Sequence, residues 1–268
     1  MRLLTVTLLL CMLVATVSCG NGNNSTSAAS SISGNWQLTL TRHNSTQQWT
    51  FSGFLLQSGG TVTGSFILGA GECQGVGPVS GSFDGQNLQL TVGTFGQDFS
   101  LSASLPSGSA AESSIDGQFS TLAGGCIGFA STGTWTAVRV PSLSGPFHGS
   151  FIVTDGTNID VTGTLTQGPN IGASNVTLSG TMNATGGPSF CSYLSTATVT
   201  GLISGTSAIL SFYGPDGSQV GQIPSAGFGP ATVAADGTSL TGSYAFSAIS
   251  SSCSGLTGGQ GDVTLTFP

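Results

Sequence analysis

The chain has 268 residues, with ten acidic side chains against three arginines, no lysine and a net charge of −7. That balance excludes the basic footprint of a nucleic-acid binder and the polybasic patch that draws proteins to anionic lipid head groups. Only 5% of residues are charged, but 38% are apolar and recur periodically, so burial suffices for folding despite the wealth of Gly, Ser and Thr.

The first element is an export signal. Arg2 is followed by an apolar run from Leu3 to Val17. This is shorter than the roughly 20 apolar residues that a membrane-spanning helix needs, and it fits the helical, cleavable signal peptide, over residues 1–18. The run ends at Thr16-Val17-Ser18-Cys19-Gly20, which resembles the lipobox of bacterial lipoproteins, with Thr16 where that family usually has Leu. The resemblance implies that the Cys19 thiol takes a diacylglycerol, that cleavage precedes it, and that the new amino terminus is acylated. Two or more chains hold a protein firmly to a bilayer where one does not. By the same resemblance, Gly20 stands where an Asp would retain the protein in the inner membrane, which implies the outer membrane. Residues 19–31 carry no large apolar side chain and form a flexible tether reaching roughly 20 Å from the lipid.

Past residue 31 one short pattern recurs: an aliphatic residue, any residue, Gly, any residue, then an aromatic or large apolar residue. It runs Ile32-Ser-Gly34-Asn-Trp36, then Val62 to Phe66, Val79 to Phe83 and Ile115 to Phe119. It returns at Leu143 to Phe147, Val161 to Leu165, Leu178 to Met182, Val199 to Ile203 and Leu240 to Tyr244. A period of two puts the three defining residues on one strand face and Ser or Thr on the other. Glycine on an inner face suggests sharp strand coiling, or close packing beneath a neighbouring aromatic. Asp84-Gly85, Asp155-Gly156, Asp216-Gly217 and Asp236-Gly237 are hairpin signals, and Gly59-Gly60 reads the same way. The spacing predicts an all-β chain of antiparallel meanders.

The pattern also repeats on the scale of whole modules, residues 32–140 overlying 143–268. Each half offers about eight strands, arranged as an up-and-down barrel or as a sandwich. Cys73 then meets Cys191, and Cys126 meets Cys253. Disulfides are the default in an exported chain. Four cysteines allow three pairings, and the duplication selects Cys73–Cys126 and Cys191–Cys253. With strands counted along a meander, both cysteines of a half fall at one end of the sheet, after the third and seventh strands. In a barrel each bridge would tie two loops across the mouth.

Ile32-Ser-Gly34-Asn-Trp36 and its later copies resemble strands of the avidin and lipocalin class of up-and-down barrels. The resemblance is strand by strand and implies a barrel with a possible internal cavity. Avidin-type sites use several tryptophans, whereas Trp36, Trp49 and Trp135 all fall in the first half, so no site residue carries over.

Chemistry is sparsely signalled. His43 and His148 lie in different halves, and a catalytic base needs an oriented partner. Asp84, Asp155, Asp216 and Asp236 read as turn residues, and no spacing points to the paired carboxylates of a glycoside hydrolase. Asp155 to Asp160 and Gly258 to Asp262 read as loops, not calcium sites. No catalytic, metal or cofactor site is expected. The reading that follows is a membrane-anchored, non-catalytic envelope lipoprotein acting in binding or envelope architecture. Two others stand beside it: a calyx carrying a small apolar ligand, which needs a cavity above about 300 Å³, and an envelope polysaccharide hydrolase.

Overall fold

The structure is a computed structural model that describes residues 31–69, 73–94, 96–106, 113–153, 156, 158–170, 173–185, 196–227, 229–246 and 260–268. The export signal, Cys19, most of the tether, Cys191 and Cys253 lie outside the described residues. Seventeen strands lie among the described residues. The first eight are β1 (Gly34–Arg42), β2 (Gln48–Ser58), β3 (Thr61–Leu68), β4 (Gly75–Phe83), β5 (Asn87–Thr94), β6 (Gln97–Ser104), β7 (Ser114–Thr121) and β8 (Ser131–Val140). The second set is β9 (Gly145–Val153), β10 (Asn158–Gln167), β11 (Val176–Thr185), β12 (Ala197–Ser204), β13 (Ser207–Tyr213), β14 (Gln219–Ile223), β15 (Ala231–Val233), β16 (Ser239–Phe246) and β17 (Gln260–Thr266).

The first set is a closed antiparallel barrel in simple meander order. Closure comes from β1 pairing β8, with Asn35 opposite Val140 and Arg42 opposite Gly133. The second set closes through the β12–β13 pairing. It also has eight positions around the ring, but one of them is shared by two short strands. β14 and β15 both lie between β13 and β16, end to end. Pro224 directly follows β14 and Pro230 directly precedes β15. Neither has an N–H to give the ladder, so one continuous strand cannot run there. The sandwich alternative gives way to two tandem barrels.

The repeated pattern specifies both interiors. All eighteen of its aliphatic and large apolar positions are buried, from Ile32 and Trp36 through Leu240 and Tyr244. In the first barrel the Trp49 ring meets Phe99 and Phe119 edge-on, each with centroids 5.9 Å apart. In the second, Phe151 is the hub, 4.8 Å from Tyr244 and 5.8 Å from Phe212. Such pairs add about 0.5–1.5 kcal/mol each beyond the area they bury. The glycines make room for these rings. Gly117 sits opposite Trp135, and Gly163 opposite Phe147. A Cβ on either would stand 2.7 Å from a ring carbon of that partner. At Gly64, Gly81 and Gly180 it would strike a carbonyl oxygen of the adjacent strand. Close packing beneath an aromatic, one of the two reasons expected of an inner-face glycine, is therefore present, and at Gly117 and Gly163 the adjacent strand's carbonyl is also too close for a Cβ.

The outer surface is mainly hydroxyl and amide, as at the exposed Thr132, Thr134 and Thr136 along β8. A membrane-crossing barrel has an apolar band outside, the reverse of this arrangement. No helix among the described residues is long and apolar enough to span a membrane.

The Asp-Gly turns sit where the hairpins need them. Gly85, Gly217 and Gly237 take positive φ values of 96°, 79° and 74°. Asp84 also accepts the backbone N–H groups of Asn87 (2.6 Å) and Gln86 (2.8 Å) and the Asn87 side-chain amide (3.0 Å). The Asn87 contacts first, then Gln86, hold its carboxyl down at about 2. The Thr238 amide and hydroxyl lower Asp236 in the same way. A carboxyl depressed in the folded state stabilises above its unfolded value, and that contribution disappears as pH falls through the folded one. Between pH 4 and 2 the native chain is therefore expected to lose a stabilisation that Asp84→Asn lacks. Denaturation curves of both proteins at stepped pH measure it. An Asp84 carboxyl that titrates near 4 by NMR would contradict the assignment.

Candidate functional site

Two places collect unusual residues: the end of the first barrel that carries Cys73 and Cys126, and the joint between the barrels.

Cys73 precedes β4 and Cys126 precedes β8. The two are disulfide-bonded, with Cα atoms 5.1 Å apart. In a meander of eight, these connections stand on opposite sides of the rim, so the bridge draws them together across the mouth, as the duplication implied. The turn between β5 and β6 supports it from beneath. The Thr94 hydroxyl donates to the Cys73 carbonyl at 3.0 Å, and the Thr94 carbonyl lies 3.9 Å from the Cys126 sulfur. Thr94, Gln97, Thr121 and Ser131 form a buried polar layer on β5 to β8 just inside this end. Gln97 Nε2 donates to the Leu122 carbonyl and the Ser131 amide donates to the Thr121 hydroxyl. This is a rim of hydrogen-bonded loop supports, with no nucleophile–base pair among the described residues.

The joint is built from the outward residues of β1 and β2. Along these strands Trp36, Leu38 and Phe51 point into the first barrel, so Asn35, Gln37 and Phe54 point out. Phe54 is 1% exposed and belongs to the core of the second barrel, beside Val140 and Leu143. Asn35 exchanges two hydrogen bonds with Gly205, in the hairpin between β12 and β13. Its Nδ2 donates to the Gly205 carbonyl at 2.8 Å, and the Gly205 amide donates to Oδ1 at 2.6 Å. Gln37 Oε1 accepts from the Thr206 amide (3.1 Å), the Thr206 hydroxyl (3.0 Å) and the Ser52 hydroxyl (2.7 Å). Asn170 Nδ2 donates to the Leu55 carbonyl at 2.9 Å. Gly205 is required twice over: its φ is +55°, and a Cβ there would stand 2.5 Å from Gln37 Oε1. Asn35 is 3% exposed, and buried amide bonds of this kind fix geometry because leaving one partner unmade costs about 1–3 kcal/mol. The two barrels are therefore held in one orientation.

Beside this joint a cleft of about 210 Å³ opens between the barrels. Its apolar wall is Ile67 from the first barrel, with Leu202, Ile209 and Pro230 from the second. Ser52, Asn175, Ser204 and Ser207 also line it, and among the described residues no charged side chain does. Leu202 and Ile209 are directly paired across β12 and β13 and are 40% and 48% exposed. The sequence does carry a sign of these surfaces. Phe54-Leu55-Leu56, Phe66-Ile67-Leu68 and Leu202-Ile203 each break the alternation of apolar and polar residues, and each break puts an apolar side chain outside.

Among the described residues the titratable side chains do not gather. His43 lies in the β1–β2 connection, its amide donating to the Thr132 carbonyl. His148 is exposed on β9, beside a hollow of about 420 Å³ floored by Thr162, Thr164 and Thr181. Asp98 and Asp116 are outward on the first barrel, Asp160 and Asp262 outward on the second, and Asp84, Asp216 and Asp236 occupy turns. Glu72, Glu112 and Asp155 lie outside the described residues. Among the described residues no cluster of three or more His, Cys, Asp or Glu could hold a metal. Arg42 stacks on Phe129 (4.3 Å to the ring centre) and Arg139 on Trp36 (5.0 Å). Arg139 also donates to the Ser31 carbonyl at 2.6 Å, fixing the point where the tether meets the barrel.

No family model, curated protein or solved structure matches the chain.

Proposed function

We propose that this is an exported lipoprotein, anchored to the outer membrane through Cys19, which works by binding and not by catalysis. The supporting observation is that each barrel interior is occupied by the chain's own aromatic and aliphatic side chains. Trp49, Phe99 and Phe119 fill one, and Phe151, Tyr244 and Phe246 the other. A calyx would keep that space for its ligand. Recognition then falls to outer surfaces, which the tether holds clear of the lipid. On this reading Cys191 and Cys253 form the second bridge, at the end of the second barrel that corresponds to the Cys73–Cys126 end of the first. The test is expression of the full chain in a diderm host, with fractionation and intact mass. The expected product sediments with membranes and carries a lipidated Cys19 and two disulfides, while Cys19→Ala is released to the soluble fraction. A mature native chain with no lipid mass would overturn the anchor.

A further inference from the structure

We propose that the inter-barrel cleft is a binding site for an uncharged aliphatic chain. The inference rests on the binding-protein reading above and names the ligand class. Three observations select it. First, the outer surface is hydroxyl and amide over most of both barrels, yet Ile67, Leu202 and Ile209 come from separate strands to line one cleft. Leaving the Leu202 and Ile209 side chains 40% and 48% exposed forgoes burial worth roughly 25 cal/mol per Å², and an apolar ligand would recover it. Second, the lining carries no charge among the described residues, and the arginines at positions 42 and 139 are engaged with Phe129 and Trp36. An ionised ligand group would lose its hydration with no counter-charge to replace it. Third, the apolar wall is Ile, Leu and Pro, with no aromatic ring among the described lining residues. A sugar or planar ligand would have no face to stack on. At about 210 Å³ the space lies below the 300 Å³ or so typical of a drug-sized ligand, which suits a single short chain. The Asn35–Gly205 and Gln37–Thr206 bonds hold the walls in place beforehand, so little ordering remains to be done on binding.

The test is methyl NMR on the purified mature chain, labelled at Ile, Leu and Val and titrated with 1-octanol or octanoate at neutral pH. Saturable shifts are expected at Ile67, Leu202 and Ile209 with octanol, and binding at least tenfold weaker with octanoate. Leu202→Thr and Ile209→Thr replace exposed residues with good strand formers, so they should keep the fold while weakening octanol binding at least tenfold. Equal affinity for octanol and octanoate would overturn the proposal, as would octanol shifts that never saturate. Shifts at barrel-core methyls such as Leu90 and Leu101 would overturn it too, and would also revive the calyx. A chain that fails to bind octanol but carries a lipidated Cys19 refutes the cleft alone.

Discussion

The double variant Cys73→Ala/Cys126→Ala is expected to unfold its first barrel about 15 °C below the native chain, for a loss of roughly 4 kcal/mol. The bridge closes a loop of 53 residues, and in the chain-entropy model a loop of that size gives the figure through restriction of the unfolded state. The loss should appear in one barrel selectively, and the sequence provides the means to see it. Trp36, Trp49 and Trp135 are the only tryptophans, and all three are in the first barrel. Their emission therefore follows that barrel, while far-ultraviolet dichroism follows both. Two joined barrels need not melt as a single two-state unit, so the expected result is a tryptophan transition that moves ahead of the dichroism transition. Reductant should lower the native tryptophan transition to the same point. If Cys191 and Cys253 are bridged, it should lower the double variant further, in a transition that tryptophan does not report. A double variant whose tryptophan transition stays within 2 °C of the native one would contradict the loop-closure account.

This bridge was legible because the chain is duplicated, whereas the joint was not. Cys73 and Cys126 could be paired from sequence because two copies of one meander constrain each other, and alternation alone decides which side chains face in. Ile32, Val62, Val79 and Ile115 needed only a period of two to be placed in a core. Two features escaped for different reasons. The division of one ring position between β14 and β15 follows from Pro224 and Pro230, but a proline marks only where a strand stops. It does not show that a second short strand resumes the same position in the ring. The contacts of Asn35 with Gly205 and Gln37 with Thr206 span 170 and 169 residues. Nothing local in an Asn or a Gln on an outer face distinguishes a docked side chain from a solvated one. The apolar interruptions at Phe54, Ile67 and Leu202 were the available clue. Each reads as a lapse in amphipathic patterning until the second barrel is in place to cover or flank it. The site residues expected from sequence were cysteines, and the cleft contains none. Its chemistry is a gathering of outward Ile and Leu side chains among serines, and a motif search has nothing to find there.

The recurring glycine carries the other large effect. Gly117→Ala should destabilise the first barrel by about 3 kcal/mol, at the upper end of ordinary overpacking. An added methyl would stand 2.5 Å from Trp135 Nε1 and 2.7 Å from Cε2, and closer still to the Ser102 carbonyl. The ring cannot simply lift away. Its Nε1 donates to both the Gln118 carbonyl (3.0 Å) and the Ser102 carbonyl (3.2 Å), so displacing it strands a buried donor as well as straining the sheet. The β6–β7 pairing that would have to yield is short, running from Phe99 opposite Thr121 to Ser102 opposite Gln118. The control is Gly60→Ala in the β2–β3 hairpin. There the nearest atom to a new Cβ is the Phe83 carbonyl oxygen at 3.8 Å, and the change should stay within about 0.5 kcal/mol. Urea titrations followed by tryptophan emission compare the two directly. Equal midpoints would mean that the inner-face glycines serve composition alone. A large separation would establish that Gly117 is there for the space its missing side chain leaves to Trp135 and the Ser102 carbonyl. The same argument then extends to Gly163 beneath Phe147 in the second barrel, where the geometry repeats.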